Sequence, residues 1–124
     1  MNKIKIIAEG ISAVATLKDN STGKAIWDAL PLEASVNTWG DEIYFEIPVS
    51  IKQADDASDV VEMGSLGYWP PGKAFCIFFG TTPASRMGEI RAASPVNTFG
   101  SIDEDPAIFK KVPGGAIIRI EQAD

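Results

Sequence analysis

The side chains able to act as catalysts or metal ligands are few. There is no histidine among the 124 residues, which removes the commonest general base at neutral pH and the commonest metal ligand. Ser-His-Asp sites, Cys-His sites and histidine-based zinc sites are therefore excluded. A single cysteine, Cys76, lies inside the apolar run Ala74 to Phe79, where a thiol is expected to be buried and inert. Two acidic clusters carry oxygen atoms of the kind calcium uses: Asp55-Asp56 with Asp59 and Glu62, and Asp103-Glu104-Asp105. Neither has a glycine at the bend, so both read as solvated loops, with Asp105 also placed to cap a helix that starts at Pro106. Gly64, Gly67 and Gly72 match neither a dinucleotide fingerprint nor a phosphate loop, because Gly72-Lys73 is followed by Ala74 and not by a hydroxyl. No metal and no cofactor are expected.

What remains is a recognition surface. In the stretch Gly64-Ser-Leu-Gly-Tyr-Trp-Pro-Pro-Gly72, prolines with fixed φ flanked by permissive glycines predict a rigid turn outside any helix or central strand. Tyr68, Trp69, Pro70 and Pro71 form a stiff apolar group. Arg86 and Met87 lie on the connection that leaves the next strand, and aromatics, Met and Arg are the residues that enrich pockets and interfaces. These six are the candidate ligand-binding residues. A second reading stays open beside the first, in which Tyr68 and Trp69 only plug the core. Trp27 and Trp39 are read as core or helix-packing aromatics.

The elements that position this group follow from periodicity. Residues 3–18 alternate on either side of Gly10 and predict an antiparallel hairpin. Asp19 to Thr22 offers cap oxygens, and Ala25, Ile26, Ala29 and Leu30 recur at helical spacing, which predicts a short helix from about Ser21 to Leu30, ended by Pro31. Leu32 to Trp39 and Glu42 to Val49 alternate about Gly40-Asp41 as a second hairpin. Its apolar face carries Ile43, Phe45, Ile47 and Val49, and its opposite face Glu42, Tyr44, Glu46 and Pro48. Residues 52–58 read as a loop and Val60-Val61 as a brief strand. Ala74 to Phe79 is apolar on both strand faces, the pattern of a strand buried on both sides. Residues 81–95, with Pro83, Gly88 and Pro95, form the least periodic stretch. A strand over Val96 to Ile102, a helix over roughly Asp105 to Lys111 and a strand over Ala116 to Glu121 complete the chain.

The length is that of one domain able to bury roughly two-thirds of its unfolded surface, and residues 1–124 show no repeat or linker. The composition, 45% hydrophobic and 23% charged, is ordinary for a globular protein. A net charge of -6 and a pI near 4.6 argue against nucleic acid and anionic membrane, whose phosphates need a basic face. No run reaches the roughly 18 apolar residues of a membrane span, and the N-terminal residues lack a signal-like apolar core. A cytoplasmic location is the expectation.

Short strands with regular turn signals and two short helices indicate a mainly β, closed antiparallel barrel or a sandwich. The Gly64–Gly72 motif followed by Phe75-Cys-Ile-Phe-Phe-Gly80 resembles the small prokaryotic cyclophilin-like domains, and Asn97-Thr-Phe-Gly-Ser-Ile102 with Asp105 to Val112 is similar to the C-terminal part of the cyclophilin pattern. This resemblance covers nearly the whole chain and chooses the barrel. It implies a fold more than a reaction. For a prolyl isomerase it also implies an arginine several residues before the central glycines and a histidine three residues before the Phe-Gly pair. Phe45 to Met63 contains no arginine, and the second position is Val96. Without a guanidinium to polarise the prolyl amide, little of the roughly 18–20 kcal/mol rotation barrier is removed. The leading expectation is a non-catalytic module that binds a small molecule or extended peptide at the barrel mouth. The alternatives are a divergent prolyl isomerase using Arg86 or Arg91, and a structural module whose aromatic loop is buried in a homodimer.

Overall fold

The computed structural model describes residues 2–123. Ten strands and one α-helix follow in the order β1 (Lys3–Ala8), β2 (Ile11–Leu17), α1 (Ser21–Ala29), β3 (Leu32–Ser35), β4 (Asn37–Thr38), β5 (Glu42–Glu46), β6 (Ser58–Val61), β7 (Ser65–Trp69), β8 (Ala74–Phe78), β9 (Ile90–Ile102) and β10 (Ile117–Gln122). Single 3-10 segments occupy Pro70–Gly72 and Pro106–Lys111. The periodicities that predicted the first hairpin and α1 therefore act as read; of the second hairpin only Asn37-Thr38 pairs back on Ile43-Tyr44, because Leu32–Ser35 pairs with β10 instead. Among the candidate cap oxygens it is Asn20 that accepts from the Gly23 N–H, at 2.8 Å. The expected second helix forms as a 3-10 segment in which Asp105 accepts from Ala107 N–H at 3.0 Å.

Two expectations, for the central motif and for residues 81–95, need correction. Ser65–Trp69 is a strand paired on both sides, with β8 and with β9, so only Pro70–Gly72 turns. The prolines sit in the first positions of a one-turn 3-10 helix, where no intrahelical N–H is required of them. Residues 90–95 belong to β9, with Pro95 accommodated where the pairing of β6 with β9 jumps from Val60–Arg91 to Ser58–Val96. A bulge leaves proline no ladder bond to break.

All ladders are antiparallel, in the order β3-β10-β1-β2-β9-β7-β8-β5-β4, with β6 added on β9. The fold is mainly β and antiparallel, as expected. The hydrogen-bonded sheet is not a closed ring among the described residues: its two end strands, β3 and β4, are consecutive in the chain with Val36 alone between them.

The sheet has two cores. On its inner face Ile4, Ile6, Leu66, Phe75, Ile77 and Ile118 are fully buried. Phe75 stands between the stacked Phe45 and the edge-on Phe99, each 5.0 Å away. On the outer face of β5, β7 and β8 a smaller cluster joins Ala74, Cys76 and Phe78 to Val61, Ile90, Ala92 and Val96. Those last four come from β6 and the first half of β9, which cover that face. Every residue of β8 is buried, as its two-sided apolar pattern requires.

Two cross-strand partners, Tyr68 and Asn97, tie down the long connection after β5. The Tyr68 hydroxyl donates to Val49 C=O at 2.6 Å and accepts from Ile51 N–H at 3.2 Å. Asn97, 1% exposed, accepts from Ala54 N–H at 2.7 Å and donates to Lys52 C=O at 2.8 Å and Thr22 Oγ1 at 3.3 Å. Asn97→Ala is expected to cost on the order of 2 kcal/mol, because part-buried backbone groups of residues 52 and 54 lose their partners. Amide exchange checks it: Ala54 should exchange faster out of proportion to the global loss, and equal change at Ala54 and Ala74–Phe78 would show that the network does not hold the loop.

Candidate functional site

The outer cover is incomplete. Between β5, the end of β7 and the first half of β9 lies a cavity of about 270 Å³ lined by Trp39, Glu42, Tyr44, Trp69, Ala92, Ala93 and Val96. Strand alternation supplies the wall: Glu42 and Tyr44 stand two apart on β5, and Tyr44 is paired with Cys76, itself paired with Gly67 of β7. A Cβ on Gly67 would lie 2.9 Å from Val96 Cγ2, so the missing side chain is what lets β9 close on the wall. Trp39 enters from the far side of the β4–β5 turn, where its N–H donates to Glu42 C=O at 2.9 Å. The turn itself is fixed by Asp41 N–H donating to Thr81 C=O at 2.9 Å.

Trp69 is held on two sides. Its indole N–H donates to Ser94 Oγ at 2.6 Å, and its six-membered ring folds over the Pro70–Gly72 turn so closely that a Cβ on Gly72 would meet Cε3 and Cζ3 at 2.8 Å. Only glycine leaves that ring its place.

Glu42 is 5% exposed. Burial pushes its carboxyl from the usual 4.5 up to about 7, with a hydrogen bond from the Cys76 thiol offsetting part of the rise. Cys76 is 1% exposed; burial, with the Glu42 charge adding to it, pushes its thiol well up, which makes it a poor nucleophile. Near pH 7 such a carboxyl is divided between a neutral form, which can donate a hydrogen bond, and an ionised form, which can hold a positive charge.

The candidate residues named from the sequence are distributed differently. Trp69 lines the cavity and Tyr68 does not: Tyr68 points to the opposite face and is fully buried in the inner core. Pro70 and Pro71 form the turn under Trp69, with Pro71 exposed. Arg86 and Met87 are exposed on the 79–89 connection, and neither lines the cavity. Arg91 pairs with Asp59 at 2.6 Å and Glu89 at 2.5 Å. Among the acidic clusters, Asp103 bonds Lys3 and Thr16 and Glu104 accepts from Val14 N–H; among the described residues no group of three acidic or cysteine side chains is arranged to hold a metal. Sequence reading missed Glu42, Tyr44 and Trp39. The alternation of β5 correctly put Glu42 and Tyr44 on one face, and only the fold of β6 and β9 over that face showed that it is not open to solvent.

An antiparallel β domain whose central strand is buried on both sides, with this motif order, defines the class, and the comparisons agree. A model of the cyclophilin-like family matches residues 2–121, and the chain belongs to that family. It is similar to the hypothetical protein AF2241 from Archaeoglobus fulgidus, whose solution structure shares 39% identity over 98% of this chain and 95% of that one, with a TM-score of 0.83. It is also similar to McbB, solved in complex with tryptophan, at 14% identity and a TM-score of 0.70, over 95% of this chain and 44% of McbB. That second likeness is one of fold. Comparison with curated proteins finds no match. No helix among the described residues is long and apolar enough to cross a membrane.

Two predictions follow from the geometry. Tyr68→Ala should cost about 3–5 kcal/mol, as other buried aromatics do, and Trp69→Ala roughly 1–2 kcal/mol; paired urea melts check the order, and equal large losses would make Trp69 a plug. The second concerns Glu42. Unfolded, its carboxyl ionises near 4.5, and folded near 7, so between these values the folded state holds the extra proton and stability falls as pH rises, levelling off above. The loss is on the order of 3 kcal/mol. Glu42→Gln should remove it, so the variant's advantage over the wild type grows across that window in stepped-pH melts; parallel curves would mean a solvated carboxyl.

Proposed function

We propose that this chain is a non-catalytic cyclophilin-like barrel, closed through the continuous backbone of residues 32–38, that binds a small molecule on the outer face of its β5–β8–β7 wall. The observation that carries this reading is a buried carboxyl in the lining of an otherwise apolar, aromatic cavity. Aromatic walls with one or two fixed polar groups are the usual make-up of ligand pockets. A volume of about 270 Å³ lies just below the usual range of such sites and favours a small molecule over an extended peptide. Position 96, where the isomerase pattern has histidine, contributes an apolar Val96 wall. Arg91, one of the two arginines that could replace the absent anchor, is committed to Asp59 and Glu89.

A fragment screen by protein-observed NMR tests the reading. Small aromatic fragments should shift the Trp39 indole and Tyr44 resonances, and Gly72→Ala, which displaces the Trp69 ring, should weaken them at least about ten-fold with the fold retained. Fragments that gather elsewhere, or none that bind, would overturn it. Self-association lost on Trp69→Ala would assign the face to a homodimer instead.

A further inference from the structure

We propose that the ligand of this cavity is an organic monocation, an amine or quaternary ammonium head on a small apolar body; this rests on the small-molecule reading above and names its chemistry. The lining offers one carboxyl and three aromatic rings, and no lysine or arginine. An anion entering it would meet no opposite charge and would be buried beside Glu42. A cation would meet the carboxyl and the rings of Trp39, Tyr44 and Trp69; an ammonium group is attracted by the quadrupole of a ring it lies over as well as by direct charge pairing. Among the described residues no ion pair includes Glu42, so the protein supplies no cation of its own there.

Trp69 is also set as a receptor needs it. The Trp69 N–H is taken by Ser94 and its ring is seated on Gly72, so its orientation is fixed before a ligand arrives and little freedom is lost on binding. The remaining wall, Ala92, Ala93 and Val96, is small and apolar, which suits methyl groups or an alkyl body. A net charge of -6 favours the approach of cations and disfavours that of anions.

Two pairs of probes of matched shape test the inference on the full chain: choline against 3,3-dimethylbutan-1-ol, and benzylammonium against benzyl alcohol. Titrations followed by tryptophan fluorescence and indole NMR should show at least one cation binding about ten-fold or more tightly than its neutral partner. Glu42→Gln should cut that preference to near unity while leaving the neutral probes unchanged, and Trp69→Ala should weaken both members of a pair. If neither cation is preferred over its isostere, or if Glu42→Gln leaves the preference intact, the inference is overturned. Aromatic fragments that still fill the cavity in that case would leave the small-molecule reading standing, whereas a cavity that takes neither probes nor fragments would remove both.

Discussion

The constraint on which the rest of this structure depends is the burial of β8 on both faces. Its side chains are apolar in both directions, Phe75 and Ile77 inward and Ala74, Cys76 and Phe78 outward. A wall of that kind is unstable with one face wet. The inner face is covered by the other strands of the sheet. Among the described residues no helix covers the outer face, and the chain meets the need by making β9 long enough to serve twice. Its C-terminal half pairs with β7 and β2, and its N-terminal half carries β6 over the outside of the wall. The cavity exists because that cover stops short of β5.

The same constraint explains how the aromatic groups come to be rigid. Tyr68 and Trp69 are neighbours in a strand, so one must face the inner core and the other the outer. Tyr68 spends its hydroxyl on the 47–57 connection beside Asn97, and Trp69 is left at the edge of the outer cluster with its N–H on Ser94. A site built this way stands on paired strands, which hold side chains more narrowly than loops do.

Glu42 breaks the local rule of the outer cluster. A glutamine or an aliphatic side chain would fill its position without the cost of hiding an ionisable group, and that cost appears as the rise of its carboxyl to about 7. Places where a protein keeps a costly polar group in an apolar setting are where function is sought. In this chain it coincides with the two tryptophans and the tyrosine that face the same cavity.

Local order was legible from the residues alone. Alternation about Gly10, a cap somewhere in Asp19 to Thr22, the two-sided run Ala74 to Phe79 and the burial of Cys76 all depend on neighbours within a few positions, and the family could be read from the motif around Trp69. Alternation also showed that Glu42 and Tyr44 share a face. It could not show whether that face is wet, because the answer lies in residues 58–61 and 90–96, far away in the chain and brought over it by the pairing of β6 with β9. The same holds for Trp39 joining Trp69, for Tyr68 parting from it, and for Arg86 and Met87 lying on an exposed connection away from both. Periodicity assigns side chains to faces; which faces meet is set by pairing between distant strands, and only the tertiary structure decides it.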